Sequence, residues 1–289
     1  MNTATIIRTA ILIAWAAAMG VLLRFEAYPE WFTHTIPGYK GLIADSLLAR
    51  ESWSRIRIGD TPVGYSHTSL GINDDTPGQH LEINNRVHLR VLLFGEPRNL
   101  FAQTLVTLDR DFDLVSFAAS ASAGEFAVQA SGERRQGRLF EVTITTGGAR
   151  TIRTVEIPPE TFFYSPGQEL ALRSLRPGGR LSLRTINPLT LQPSTVIIEA
   201  IARETIQHDG IATASMRLRS TWQGVAFDSW INDEGIVLRQ ETPQGWMIEA
   251  CSAEDALDAV SGEHPPPDLF AGGGGSFLNL LMGKVNTTP

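Results

Sequence analysis

A two-residue alternation of apolar and polar side chains governs this sequence. Ala212, Ala214, Met216 and Leu218 alternate with Thr213, Ser215, Arg217 and Arg219. Val87, Leu89, Val91 and Leu93 do the same, with His88 and Arg90 between them. Phe126, Val128 and Ala130 lead into a polar break at Gly132 to Gly137, after which Phe140, Val142 and Ile144 resume the pattern. Successive side chains of a strand point to opposite faces, so such runs are half-buried β-strands and the broken pair is a hairpin. Further strand pairs are predicted around Gly59-Asp60 (Arg55–Ile58, Val63–Leu70), Asp233-Glu234-Gly235 (Phe227–Ile231, Ile236–Glu241) and Thr242 to Gly245, before Trp246–Ala250. A parallel sheet needs long crossovers between strands, and none separate these runs. The expected fold is mostly β: a large curved antiparallel sheet or half-open barrel with few short helices. Pro158-Pro159 to Pro177-Gly178 interrupts it with a connecting segment that has room for a short helix.

Ahead of the strands, Thr9 to Leu23 forms an uncharged, mostly apolar run between Arg8 and Arg24. As a helix it would span about 22 Å, short of the roughly 30 Å hydrocarbon core of a bilayer. Snorkelling arginines and the aromatics Phe25, Tyr28, Trp31 and Phe32 extend the fit. An uncleaved signal anchor is the first reading, and a cleaved signal peptide the alternative. Either places the rest of the chain outside the cytoplasm, as a single-pass protein of the inner membrane with a periplasmic domain. The expected domains are a transmembrane anchor over residues 1–30, a helical connector over 31–54, the β domain over 55–260, and a Pro/Gly-rich tail over 261–289. Leu42, Ile43, Leu47 and Leu48 give the connector its helical spacing. Ala253 to Val260 is predicted as a closing helix with Ser252 as its N-cap.

A net charge of −7 argues against nucleic acid as a partner. Cys251, the single cysteine, cannot form an internal disulfide and is expected to be a buried, inert thiol. Gly64-Tyr65-Ser66-His67-Thr68 lacks the second glycine of a nucleophile elbow, and adjacent Ser66 and His67 on a strand face opposite ways. Asp109, Asp111 and Asp113 open like a calcium loop, but Leu114 and Ser120 stand where a glycine and a glutamate are needed, so a polar turn is expected. The six histidines are scattered, and no nucleotide-binding glycine motif occurs. No catalytic residue, metal ligand or cofactor is assigned. Trp222, Phe227, Trp230 and Trp246 cluster in the C-terminal strands and are candidates to line an apolar ligand cavity. Phe277, Leu278, Leu280, Leu281 and Met282, tethered by Gly272 to Gly275, form a candidate partner-docking tail.

Three stretches carry a resemblance: Gly64-Tyr65-Ser66-His67-Thr68; Asp111-Phe112-Asp113-Leu114 with Ser116-Phe117; and Trp230-Ile231-Asn232-Asp233-Glu234-Gly235-Ile236-Val237-Leu238-Arg239. With Arg176-Pro177-Gly178-Gly179 through Ile186-Asn187-Pro188-Leu189-Thr190-Leu191, they resemble an exported bacterial β-domain found N-terminal to transglutaminase-like cysteine protease domains. The chain is also distantly similar to periplasmic lipoprotein-carrier-like half-barrels. The resemblance covers residues 53–258 and implies an accessory module without the catalytic triad. The functional expectation is a non-catalytic, membrane-anchored binding or scaffold subunit of an envelope complex, with a membrane or envelope protein as partner. The alternative is a periplasmic carrier of a lipid or other apolar ligand.

Overall fold

The computed structural model describes residues 50–73, 79–93, 95–159, 161–163, 175–187, 189–222, 224–243 and 245–261, with residues 14, 15, 19, 34, 35, 39 and 267. The strands are β1 (His34–Thr35), β2 (Arg50–Ile58), β3 (Thr61–Ile72), β4 (Leu81–Leu93), β5 (Glu96–Leu108), β6 (Leu114–Ala123), β7 (Phe126–Gln136) and β8 (Leu139–Thr146). They continue as β9 (Ala149–Glu156), β10 (Thr161–Phe163), β11 (Arg180–Ile186), β12 (Pro193–His208), β13 (Ile211–Trp222), β14 (Val225–Ile231), β15 (Val237–Glu241) and β16 (Trp246–Cys251). One helix, α1 (Ala253–Ser261), follows directly. Ser252 caps it: the Asp255 amide donates to Ser252 Oγ at 3.1 Å, and that hydroxyl donates to Asp255 Oδ2 at 2.7 Å.

All sixteen strands belong to one sheet, ordered β1-β11-β12-β13-β14-β15-β16-β2-β3-β4-β5-β6-β7-β8-β9. Two meanders, β2–β9 and β11–β16, are thus sewn together where β16 pairs antiparallel with β2. The sheet is mixed rather than purely antiparallel, because β1 and β10 both run parallel to β11 and share its outer edge. Such short non-local strands leave no periodic trace in the sequence. Register shifts at Ile56/Arg57, Thr107/Leu108, Arg134/Gln136, Ala200/Ala202 and Trp230/Ile231 add bulges that curl the sheet. The link from β9 to β10 is only residues 157–160, so the two ends of the sheet lie within about 18 Å of each other there. The result is a large, open, curved sheet of half-barrel form.

The inner face carries the core. Leu81, Ile83, Val106, Phe117, Phe140 and Val142 from one meander meet Leu183, Val196, Ile198, Met216, Leu218 and Trp222 from the other. Phe163 of β10 stacks on Phe117 of β6 at 4.4 Å and so ties the β10 edge to the middle of the first meander. Buried Tyr39 holds β10 in place, its hydroxyl accepting from the Phe163 amide at 3.1 Å. A smaller cluster of Ile56, Val63, Leu89, Val91 and Trp246 fills the other end of the seam. α1 lies against β2, β3 and β4 with Ala256 and Ala259 buried.

One sequence expectation meets a different structure and another is met as expected. The C-terminal part of the predicted connector helix, Arg50 to Trp53, belongs to β2, because Trp53 is registered against His67 and Cys251 in the sheet. The calcium-like run is a turn in which Asp109 Oδ1 accepts from the amides of Asp111 (3.0 Å) and Asp113 (2.9 Å), while Arg134 holds the other oxygen at 2.8 Å. Among the described residues no cluster of His, Cys, Asp or Glu has the geometry to hold a metal. The predicted membrane segment lies outside the described residues apart from Ala14, Trp15 and Met19, which are helical. No helix among the described residues is long and apolar enough to cross a membrane. The apolar tail from Phe277 to Met282 also lies outside them.

Candidate functional site

Strand alternation that sends Val106, Phe117, Ala130 and Val142 inward sends Leu105, Ala118, Ser131 and Thr143 outward. A second outward row runs Gln103, Ser120, Gln129 and Thr145. Small side chains at Ala118, Ser120 and Ser131 leave a trough of about 310 Å³ between the longer ones, floored by the buried Ala119 and Ala130. Its lining is hydroxyls, amides and methyls, with no charged side chain. Gln103 is braced by donating to Asn84 Oδ1 at 3.0 Å.

An aromatic ladder reaches this trough across four strands. Trp53 of β2 stacks on His67 of β3 at 4.0 Å and lies 5.7 Å from Tyr65. Tyr65 meets His88 of β4 edge-on at 5.6 Å, and His88 stacks on Phe101 of β5 at 4.2 Å. Phe101 is half exposed and sits two residues from Gln103 on the same face. Each contact is a cross-strand pair of the kind that stabilises sheets. The ladder's two imidazoles are also engaged, with His67 Nε2 against Glu51 Oε1 at 2.7 Å and His88 Nε2 against Asn99 Oδ1 at 3.3 Å. Cys251 is registered opposite Trp53, and burial pushes its thiol pKa up, which disfavours the nucleophilic thiolate.

Across the seam the same outer face becomes ionic. Asp228 accepts from Arg217 at 2.6 Å and from Arg219 at 2.8 Å, and Arg219 foremost holds its carboxyl below the usual range. Arg217 also reaches Glu204 at 3.4 Å, and the Trp230 indole donates to Glu204 Oε2 at 3.0 Å. The guanidinium groups of Arg217 and Arg239 both lie 5.6 Å from the Trp230 ring centroid.

The four aromatics proposed to line a cavity are therefore not brought together. Trp222 is buried in the main core with its indole donating to Ser194 Oγ at 2.7 Å, and Phe227 packs against that core from the same face. Trp246 is buried in the smaller cluster. Trp230 is on the opposite face, as the three-residue step from Phe227 within β14 demands. The outer trough went unread in the sequence because Ala, Ser, Thr and Gln carry no apolar signal. Its trace is the small-residue run Phe117-Ala118-Ala119-Ser120-Ala121-Ser122-Ala123.

No protein-family model matches the chain, and no curated protein matches it in sequence. Among solved structures it is similar to a β-barrel-like protein of domain of unknown function DUF1849 from Brucella abortus, with 10% identity and a TM-score of 0.46, covering 71% of this chain and 95% of that one. It is also similar to a DUF1089 family protein from Pseudomonas aeruginosa, with 11% identity and a TM-score of 0.36, covering 62% and 89%.

Proposed function

We propose that this chain is a non-catalytic binding module, a scaffold subunit held at the outer side of a bacterial inner membrane by Thr9–Leu23. The outer face of β2–β8 is its contact surface. The observation that carries this reading is the uncharged trough with the exposed Phe101 at its rim. Protein contact surfaces favour aromatic anchors beside hydrogen-bonding groups that carry no charge to desolvate. Supporting it, the imidazoles of His67 and His88 are each occupied by a cross-strand partner rather than directed at each other. The resemblance to β-domains that accompany transglutaminase-like proteases suits an accessory role of this kind. A lipid carrier requires an enclosed apolar cavity, whereas the trough is open, mixes polar and apolar groups in near-equal measure, and the candidate aromatics are split between two faces.

The test is crosslinking and capture of tagged full-length chain from detergent-solubilised membranes, with intact mass recorded on the same sample. The expected result is an intact N-terminus and a stoichiometric envelope protein, lost at least tenfold in Ser131→Trp, which fills the trough. A shortened, monomeric chain that crosslinks to nothing overturns the proposal, and lipid retained in native mass spectra would establish the carrier instead.

A further inference from the structure

β9 is the last strand of the sheet, and among the described residues nothing pairs with its far side. It follows β8 through the two-residue turn Gly147-Gly148, whose φ angles of +56° and +81° fit a type I′ hairpin. The Ile157 amide donates to Arg138 O at 2.9 Å, in line with that hairpin. Hydrogen bonding alternates along an antiparallel pair, so odd-numbered residues of β9 turn their backbone to β8. The N–H and C=O groups of Arg150, Ile152, Thr154 and Glu156 therefore point to the open edge. The edge is eight residues long, free of proline and free of register shifts, which makes it a flat template for another strand.

Arginines on an edge ordinarily repel unwanted strands. Here their pairing state argues for a specific guest. Many arginines hold carboxylates, such as Arg134, Arg180 and Arg217, whereas exposed Arg150 and Arg153, like Arg86, Arg138 and Arg176, meet none among the described residues, and only these two stand on the open edge. Between them Ile152 is 55% exposed. The edge is thus a small basic, partly apolar strip on a chain of net charge −7. A second copy does not suit it. An antiparallel pair centred on Arg153 forces Arg153 against Arg153, its two Arg150–Glu156 pairings notwithstanding, and one centred on Ile152 leaves every arginine opposite a threonine.

We infer that β9 takes an added antiparallel strand from an extended acidic segment of a partner protein. In that pairing one carboxylate lies opposite Arg153, an apolar residue opposite Ile152 and a second carboxylate opposite Arg150. The guest pattern is acidic, apolar, any, acidic, with the two carboxylates on opposite faces of the strand. The inference rests on the binding-module reading and adds to it the chemistry of the partner.

Full-length protein in detergent, mixed with labelled peptides repeating Glu-Val-Thr-Glu or Lys-Val-Thr-Lys, tests this by fluorescence anisotropy and residue-resolved hydrogen exchange. The acidic peptide is expected to bind at least tenfold tighter at low salt. The amides of Arg150, Ile152, Thr154 and Glu156 should become protected, with little change at their odd-numbered neighbours. The double variant Arg150→Glu/Arg153→Glu should reverse the preference, and Ile152→Pro, which removes one outward amide, should weaken both peptides. Equal binding of the two peptides, or protection elsewhere, overturns the inference, as does self-association that protects the same amides without peptide. Partner capture that survives the arginine reversal sinks the strand-addition inference alone. Peptide binding by a chain that captures no partner sinks the scaffold reading alone.

Discussion

Gly64 and Gly71 lie in the same strand, yet the sheet treats them differently. A Cβ on Gly64 would stand 1.9 Å from the His88 carbonyl oxygen, while one on Gly71 would meet nothing within 4 Å. The crowding at Gly64 comes from backbone beside the bulge at Ile56/Arg57, which cannot swing aside as a side chain can. Gly64→Ala should therefore cost about 3 kcal/mol or more, at the upper end of overpacking. Gly71→Ala should be neutral or stabilising by about 0.5 kcal/mol through the unfolded chain. Urea midpoints of the two variants against the parent decide it, and equal midpoints would refute the packing account. The sequence shows two strand glycines and gives no hint of this difference, because it depends on how closely β4 approaches. Trp230 is the opposite case: its three-residue step from Phe227 already separates the two rings, so grouping them in one cavity neglected strand parity.

Among elements, β12, β13 and β14 are clamped together on their outer face by Glu204, Arg217, Arg219, Asp228 and Trp230. Asp228 has its carboxyl pKa held below the ordinary 3.8, chiefly by the hydrogen bond from Arg219. A depressed folded-state value means the clamp stabilises above the unfolded pKa and is lost as pH falls through the folded one. Melting temperature should hold near neutrality and drop below about pH 4. Asp228→Asn should lose about 1 kcal/mol at pH 7, in keeping with a largely solvent-screened pair, and the gap to the parent should narrow as pH falls below about 4. A constant gap from pH 7 to 2 would show that the carboxylate's charge is not what matters. The strands with one buried face, such as β4 and β13, were legible as alternation. β9 was not, because seven of its eight residues are exposed and no period can form. The parallel strands β1 and β10 were equally hidden, since two- and three-residue segments are placed by β11 rather than by their own composition.

At the scale of the whole molecule, the open half-barrel form was legible from meander spacing, while the place where its two meanders join was not. That place is the seam between β2 and β16, where Arg57 reaches Glu249 at 3.3 Å across 192 residues of chain. A chain truncated after Thr242 loses β16 and leaves the edge of β2 unpaired beside the Ile56 and Val63 cluster, now without Trp246. It should aggregate on refolding where the full chain stays dispersed, as light scattering would show. A dispersed, cooperatively melting truncation would mean the seam is dispensable.

The seam also sets a timetable. β2 is the first long strand to leave the ribosome, and β16 is the last strand. Every strand of the two meanders finds a mate within a hairpin's reach, but the other side of β2 stays bare until translation is almost over. If the domain is threaded across a membrane during synthesis, β2 waits on the far side for that whole interval. The cell then has two options: to shield that edge with a chaperone, or to finish the chain quickly enough that the first strand meets its partner before it meets a stranger.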